Sequence, residues 1–334
     1  MGKISNTVQS GREKSLNKVR YSFLKILTGS DLSRRRLPQM RLSSPTPGPG
    51  IWLTACMHGD EVGGIVIVQE IFRRARLRLL KGTINAFPLM NPLGFETISR
   101  NITIGREDLN RSFPGNSQGS LGERLAQIIF STIIKNKPDL VIDLHNDWIK
   151  SLPYVLLDSN QSADYPQAYL QAQQFARQSG FCLIEDTEMI HSSLTHNLLR
   201  HNIPALTYEM GEPYVVNEHY IDLAVKSIWN ILMGLGMVTS DSTPFEYPLP
   251  PGYSQGRILK YSDKPYSSGS GILRFLVKPG DVVKTGQPLA RIVNAFGKPQ
   301  QTIQALKAAI VLGHADSSVV FPGMPVMTFG IIEA

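Results

Sequence analysis

The residues with the clearest chemical potential lie in two short segments, His58-Gly59-Asp60-Glu61 and Asp143-Leu144-His145. Together they offer two histidines and a carboxylate, a recurrent ligand set for catalytic zinc. A catalytic site has three protein ligands and keeps a position for water, whereas structural zinc takes four ligands and often several cysteines. The chain has only two cysteines, Cys56 and Cys182. The short and long spacings therefore predict one catalytic zinc ion per chain, with an open face for substrate.

A zinc hydrolase also needs a general base near the attacking water, and a carboxylate that does not bind the metal usually serves. Glu209 is our candidate because it ends a short apolar run, and Glu212 is the alternative. A developing oxyanion requires a fixed cation, and an anionic substrate group suits a guanidinium. Arginines for both tasks lie between residues 99 and 111.

These polar residues follow short apolar runs that are typical of buried strands. The runs cover residues 51–57, 83–90, 140–144 and 204–208. Helical patterns are predicted over residues 63–75, 119–135, 166–179 and 218–235. This alternation predicts an α/β domain with a largely parallel sheet. Ligands bind at the carboxyl ends of the strands in such sheets, so we expect His58, Asn91, His145 and Glu209 to meet at one edge.

Positive charge is concentrated near the amino terminus. Residues 1–41 carry ten Lys or Arg against Glu13 and Asp31, so the net charge of this segment is +8. The whole chain has a net charge of +7, so the remaining residues have a net charge of 7 − 8 = −1. We interpret residues 1–34 as a basic, solvated extension and expect no nucleic-acid partner, although this arm leaves a polyanion partner open. A second basic cluster, residues 73–81, ends a predicted helix, where the helix dipole favours positive charge.

The remaining composition indicates a cytoplasmic protein. Only two cysteines occur, which fits a reducing compartment. No run of about 18 apolar residues is present, so we expect no membrane partner. The first six residues lack the apolar segment of a secretory signal.

The pattern changes after the predicted catalytic domain, residues 35–242. The change begins near Asp241, and residues 243–252, which contain four prolines, are predicted to be a linker or domain edge. Short strand-like pieces follow at residues 271–277, 282–284 and 286–293, separated by turn residues. Residues 243–334 are therefore expected to form a small all-β module.

Five segments in order resemble the succinylglutamate desuccinylase/aspartoacylase family, whose members are deacylases related to the zinc carboxypeptidases. They are residues 58–61, 91–95, 108–115, 143–145 and 208–212. The resemblance covers roughly residues 35–330. It implies a carboxypeptidase-like mixed, largely parallel sheet flanked by helices, followed by the β module. The implied reaction is hydrolysis of an N-acyl amino acid to a carboxylate and a free amine.

The resemblance also implies roles for individual residues. Zinc would be bound by His58, Glu61 and His145. Glu209 would act first as general base and then as general acid. The substrate carboxylate would be held by Asn110 and Arg111. The arginine that polarises the scissile carbonyl is placed at Arg100, with Arg106 as its rival.

Other residues near these motifs are given structural interpretations. Asp143 either orients a zinc ligand or is an ordinary buried, hydrogen-bonded carboxylate. Cys56 is left out of the site, and His191, His196 and His201 are expected to have surface or loop roles. Residues 277–289 faintly resemble the biotinyl/lipoyl hammerhead but lack the Met-Lys-Met turn, so no attached cofactor is expected. We expect the β module to shape the active-site entrance or to form a contact in a homo-oligomer.

Two other functions remain as alternatives. A metallocarboxypeptidase would cleave peptides with the same metal chemistry, and a binding relative would keep the fold without turnover. The complete predicted ligand set and Glu209 favour the deacylase over the binding relative.

Overall fold

The computed structural model describes residues 17–28, 32–159, 165–239, 243–253 and 256–332. Residues 1–16 of the expected extension, and Asp241, near which the composition changes, lie outside these ranges. Among the described helices, none has the length and apolar character needed to cross a membrane.

The described chain alternates strands and helices in its first two thirds and contains strands thereafter. The helices are α1 (Gly63–Arg78), α2 (Pro92–Glu96), α3 (Leu121–Asn136), α4 (Pro166–Gln178), α5 (Leu194–Arg200) and α6 (Glu218–Gly234). The strands before α6 are β1 (Val19–Thr28), β2 (Arg34–Ser43), β3 (Gly50–Ala55), β4 (Thr83–Phe87), β5 (Leu140–His145), β6 (Lys150–Ser151), β7 (Tyr154–Leu157), β8 (Cys182–Glu185) and β9 (Ala205–Glu209). The later strands are β10 (Ile258–Ser262), β11 (Gly271–Phe275), β12 (Val282–Val283), β13 (Pro288–Val293), β14 (Pro299–Gln304), β15 (Ala309–His314), β16 (Val319–Val320) and β17 (Met327–Ile331).

The four predicted strands form the centre of the main sheet, in the order β4-β3-β5-β9. All three pairings among them are parallel, so their carboxyl ends share one edge. In β5 all six residues are buried, as expected for a parallel strand covered on both faces. The predicted α/β architecture is therefore confirmed, and it brings the predicted site residues to one edge.

Helices cover both faces of this sheet. On one face, α1, α4 and α6 pack in a core that includes Leu53, Ile67 and Ile228. On the other, α3 and α5 pack around Trp52 and Phe87. The predicted ends of the longer helices agree with the structure to within a few residues. For example, α3 begins after a capping box in which Ser120 and Glu123 satisfy each other's backbone N–H groups.

The amino-terminal region differs from the predicted extension. Strand β1 pairs antiparallel with β2, and β2 pairs with β4, so residues 19–28 belong to the main sheet. The physical reason is amphipathic alternation: Leu24 and Ile26 pack against the core, while the intervening Lys25 is exposed. The charged residues of this segment lie on the solvent-exposed face of a strand. Composition alone does not distinguish such a strand from a solvated arm.

The carboxy-terminal region is all β over its described residues, as predicted, but it continues the main sheet. Strand β10 pairs parallel with β8, and β17 and β15 follow it in the sheet order. A separate four-stranded sheet has the order β14-β13-β11-β16. The boundary at residue 243 remains a prediction, and the continuous sheet fixes the β region against the catalytic region.

Candidate active site

The turn after β3 carries the first two predicted ligands. It is closed by a hydrogen bond from Glu61 N to His58 O of 3.1 Å and tied to the next segment by Gly59 N donating to Ser99 O at 3.0 Å. A Cβ at Gly59 would lie 1.9 Å from the carbonyl carbon of Gly94. Only glycine allows this approach, so Gly59 sets the position of the two ligands that flank it.

His145 ends β5, and the parallel register brings it directly beside Glu209 at the end of β9. Strands β3 and β5 also pair in parallel, and their pairing ends with Ala55 opposite Leu144. Ala55 lies three residues before His58. The predicted convergence of His58, Glu61, His145 and Glu209 is therefore observed, because neighbouring parallel strands end at the same level.

Three side chains form a compact, buried ligand group. His58 Nδ1 lies 2.6 Å from Glu61 Oε1, and His145 Nδ1 lies 2.9 Å from Glu61 Oε2. One ligand atom from each residue lies within 4.8 Å of the others. The backbone N–H of Asn146 donates to Glu61 Oε2 at 3.1 Å and fixes the carboxylate between the two rings.

The opposite nitrogen of each ring faces an aspartate. His58 Nε2 lies 3.2 Å from Asp108 Oδ1, and His145 Nε2 lies 2.9 Å from Asp143 Oδ2. Asp143 is fixed in turn by Thr54 Oγ1, which donates to its Oδ1 at 2.7 Å. Asp143 is therefore buried and hydrogen-bonded, and its contact with His145 is also the one that an orienting residue would make.

A metal ion fits this donor set. In the tautomer in which each Nε2–H donates to its aspartate, both Nδ1 atoms would offer lone pairs to a metal ion beside the Glu61 carboxylate. A cation between the rings would be held by two nitrogen lone pairs and a carboxylate in a buried space. Imidazole nitrogen and carboxylate oxygen are ligands that Zn²⁺ accepts.

The carboxylates also shift the proton affinity of the ligands. Burial alone would lower the pKa of His145, but Asp143 and Glu61 outweigh it and raise that pKa well above its usual range. Burial would raise the pKa of Glu61, yet His145 and His58 hold it well below its usual range. In both cases the group is stabilised in its charged form, so positive charge is favoured at this point.

Glu209 lies in a cavity of about 190 Å³ that the three ligands also line. Burial, followed by the charges of Asp147 and Glu61, raises its pKa well above the usual range, against the opposing effect of His145 and Arg100. A carboxylate with raised proton affinity is suited to take up a proton and return it. Glu212, the alternative base, does not line this cavity, and its Oε1 accepts from Asn217 Nδ2 at 2.9 Å.

The two rival arginines are placed differently. Arg100 lines the cavity, with Nη2 3.1 Å from Asp108 Oδ2 and Nη1 3.7 Å from Glu61 Oε1. Arg106 is exposed on a residue with φ of 54° and does not line this cavity. The geometry therefore favours Arg100 for the carbonyl-polarising role.

Asn110 and Arg111 also line the cavity, on a 3-10 turn over Leu109–Arg111. Asn110 Oδ1 accepts from Leu194 N at 3.0 Å, which leaves its amide nitrogen as the donor for a ligand. The turn begins at Asp108, whose Oδ1 accepts from Asn110 N at 2.8 Å. One aspartate thus positions a predicted zinc ligand, Arg100 and the predicted carboxylate-binding turn.

Sequence reasoning missed several residues of this site. Asp108 lies in one of the family-like segments, but the sequence predicts no role for it, and no sequence pattern identifies Asp158 and Asp186 of the cavity wall. The expectation for His196 was wrong: it is 1% exposed, with Nδ1 2.9 Å from Asp158 Oδ2. The place of each of these residues in the site depends on contacts with residues distant in sequence. No local sequence pattern therefore predicts it. Cys56 is buried, which raises the pKa of its thiol, and it stays outside the ligand group.

Comparison with known proteins gives consistent results. A profile of the succinylglutamate desuccinylase/aspartoacylase catalytic domain matches residues 47–235. The N-alpha-acetyl-L-2,4-diaminobutyric acid deacetylase of Halomonas elongata is 26% identical over 255 residues, 73% of this chain and 70% of that protein. A succinylglutamate desuccinylase/aspartoacylase structure from Rhodobacter sphaeroides has a TM-score of 0.80 at 20% identity, covering 98% of this chain and 100% of that one.

A more distant structure, a metallo-carboxypeptidase from Burkholderia cenocepacia, has a TM-score of 0.52 at 16% identity, covering 67% of this chain and 66% of that one. These likenesses confirm the predicted carboxypeptidase-like fold with an additional all-β region.

Proposed function

Because the chain belongs to the succinylglutamate desuccinylase/aspartoacylase family, we propose that it is a zinc-dependent hydrolase that cleaves the amide bond of an N-acyl amino acid. The observation that carries this proposal is the convergence of His58, Glu61 and His145 beside Glu209 in one cavity. The relative from Halomonas elongata, named as a deacetylase of an acylated amino acid, supports the same substrate class.

Zinc bound by His58, Glu61 and His145 would supply a water of lowered pKa and an electrophile for the carbonyl oxygen. Glu209 takes the proton of the attacking water as the oxygen bonds to the carbonyl carbon. It then gives that proton to the departing amine nitrogen as the carbon–nitrogen bond breaks. The products are a carboxylate and a free amino acid, so the reaction balances without another reactant.

Two groups of this chain stabilise charge during that reaction. Arg100 points a guanidinium into the cavity beside Glu61, where it can face the oxygen that becomes negative. Arg111 and the amide nitrogen of Asn110 are suited to hold the carboxylate of the amino acid part. Fixing the carboxylate and the carbonyl at separate points orients the amide bond toward Glu209.

Part of the β region lies beside the catalytic cavity. Residues 315–317, 324 and 325 line a second depression that shares Glu61 and Arg100 with the catalytic cavity. Asp316 Oδ1 accepts from Ile149 N at 2.7 Å, which ties this wall to the segment after β5. This placement beside the catalytic cavity supports the proposal that the β region shapes the active-site entrance.

The test starts with metal analysis of the purified protein, followed by kinetics on acetyl-, succinyl- and aspartyl-linked amino acids beside short peptides. We expect about one zinc per chain and hydrolysis of the acylated amino acids. Glu209→Gln should retain zinc and lose about 10²- to 10⁴-fold in kcat. Cleavage of peptides alone would support the carboxypeptidase alternative. Absence of zinc together with unchanged kinetics of Glu209→Gln would refute the enzyme proposal.

A further inference from the structure

The catalytic cavity and the second depression meet beside the predicted metal ligands. Four residues line both spaces: Glu61, Arg100, Asn146 and Asp147. Asn110 and Arg111 line the catalytic cavity and not the second depression. In the proposed reaction the amino acid carboxylate lies at Asn110 and Arg111, and the carbonyl oxygen faces Arg100. Because the nitrogen and the acyl chain are attached to different sides of the carbonyl carbon, the acyl chain would extend past Arg100 into the second depression.

The second depression is much larger than an acetyl group requires. Its volume is about 410 Å³. A methyl group is close in size to a water molecule, which takes up about 30 Å³ in the liquid. An acetyl substrate would therefore leave most of the depression to solvent, whereas a longer chain or a ring could fill it.

The lining of the second depression is largely apolar and comes from both parts of the chain. The apolar and aromatic residues of the catalytic region and of the β region that line it are Trp148, Pro213, Tyr214, Ala315, Met324 and Pro325. Apolar and aromatic side chains are the usual lining of sites for small organic ligands. Trp148 and Tyr214 add rings against which another ring can pack. This surface suits an apolar acyl group.

Tyr214 is held at the depression by its backbone. Its N–H donates to Asp60 O at 2.8 Å, and its φ of 69° lies in the left-handed region that is uncommon for an aromatic residue. Strained residues of this kind cluster at active sites and ligand clamps. Tyr214 is nevertheless 53% exposed, so its ring does not fill the core. It is placed to contact a ligand in the depression.

The charges of the lining disfavour an anionic acyl chain. Among the described residues that line the depression, Arg100 alone is cationic, and it already lies 3.1 Å from Asp108 Oδ2 and 3.7 Å from Glu61 Oε1. Asp60 and Asp316 also line the depression. A carboxylate at the far end of the acyl chain, as in a succinyl group, would face these two aspartates. Like charges placed in this way select against a ligand.

We infer that the second depression binds the acyl chain of the substrate, which makes amides of uncharged, apolar acyl groups larger than acetyl the preferred substrates. The inference rests on the proposed function, since it concerns the same hydrolytic site. Each buried methylene increases affinity roughly fourfold. That gain raises kcat/KM where the contact persists in the transition state. Because the depression is open and buries only part of each chain, we expect at least about tenfold for a branched chain of six carbons over acetyl.

The experiment varies the acyl group while the amino acid stays constant. The metal-loaded wild-type enzyme is given acetyl, succinyl, isocaproyl, hydrocinnamoyl and aminocaproyl derivatives of one amino acid, the one that it releases fastest from an acetyl derivative. We expect kcat/KM for the isocaproyl and hydrocinnamoyl amides to exceed that for the acetyl amide at least about tenfold. The succinyl amide, in which a carboxylate replaces the isopropyl group of isocaproyl, should be the poorest.

The possible results separate the inference from the proposed function. If neither apolar amide exceeds the acetyl amide, or if the succinyl or the aminocaproyl amide is cleaved faster than the isocaproyl amide, the inference is refuted and the proposed function stands. Hydrolysis of none of the amides would refute the proposed function and the inference with it.

Variants locate the acyl chain. Tyr214→Ala keeps a Cβ on the same backbone and removes the ring, so the ratio of kcat/KM for hydrocinnamoyl over acetyl should fall at least about fivefold. Tyr21→Ala, the same change at a 69% exposed residue of β1, should preserve that ratio. Asp316→Asn keeps an oxygen for its backbone hydrogen bond and removes the charge, so kcat/KM for succinyl over isocaproyl should rise about threefold. Asp281→Asn is the control, because this carboxylate also accepts from a backbone N–H but lies outside the depression.

Binding of the free acids provides a measurement apart from turnover. By calorimetry, hydrocinnamate should bind the metal-loaded wild type at least about tenfold more tightly than acetate, and Tyr214→Ala should remove most of this difference. If Tyr214→Ala loses equally on acetyl and hydrocinnamoyl substrates, its effect is structural and the assignment of the acyl chain to the second depression is refuted.

Discussion

Replacing Asp143 by Asn isolates the charge that orients His145. Asp143 is 1% exposed, and each of its oxygens has a partner, Thr54 Oγ1 at 2.7 Å and His145 Nε2 at 2.9 Å. In Asp143→Asn the amide oxygen can still accept from His145, and the Thr54 hydroxyl can turn to accept from the amide nitrogen. The substitution therefore removes the negative charge and keeps both hydrogen bonds.

The expected magnitude follows from that difference. A hydrogen bond to a charged group contributes about 1.5–3 kcal/mol, and a neutral one about 0.5–1.5 kcal/mol. The difference of about 1–1.5 kcal/mol corresponds to roughly a tenfold loss of zinc affinity. Asp143→Ala, which removes both contacts, should approach the loss of about 100-fold found for such outer partners of metal ligands.

Zinc affinity would be measured by competition with a chromophoric chelator at fixed pH. Asp139→Asn is a matched control, because exposed Asp139 precedes the same strand and its Oδ2 accepts from Gly50 N at 2.7 Å, away from the ligands. Thermal melts would verify that each variant folds. If Asp143→Asn binds zinc as tightly as wild type, or if Asp139→Asn loses as much, Asp143 does not orient His145 for the metal.

Three further predictions concern other parts of the site. Gly59→Ala should lower the free energy of unfolding by about 3 kcal/mol and reduce zinc content, because its Cβ would overlap neighbouring backbone; Gly50→Ala, with nothing within 4 Å of the added carbon, should be nearly neutral in the same denaturation scan. Arg100→Gln should lose about 10²- to 10³-fold in kcat and Arg106→Gln less than about twofold, and similar losses in the two would contradict the assignment of Arg100. Asp186 has a folded-state pKa of about 6, above its ordinary value, so the folded wild type loses stability as pH rises from about 4 to about 6. Asp186→Asn should thus be more stable than wild type at pH 7.5, by at most about 3 kcal/mol, and lose this advantage toward pH 4, as urea denaturation at the two pH values would reveal.

The sequence predicted the part of the site that depends on strand ends. Apolar runs located β3, β5 and β9, and parallel pairing then required that His58, His145 and Glu209 meet. Such a derivation succeeds because a buried parallel strand reads as a continuous apolar run and ends where polar residues begin.

What could not be predicted depends on pairing direction and on long-range contacts. Strand β7 runs antiparallel to β9, which no local pattern encodes, and this orientation carries Asp158 to the far end of the cavity. The contact of Asp108 with His58 joins residues 50 positions apart. Strand β1 was interpreted as a solvated arm because its lysine and arginine residues obscured an alternating pattern.

The reversed direction of β7 has a consequence for how substrate choice can change. Tyr154 at its start and Asp158 just beyond its end lie about 13 Å apart, beyond the range of about 7–10 Å within which substitutions commonly influence each other. Tyr154 at one end adjoins Glu209, and Asp158 follows the other end. Substitutions at the two ends should thus have additive free-energy effects. A descendant of this chain could change the cavity wall at residue 158 while its hydrolytic centre stays intact.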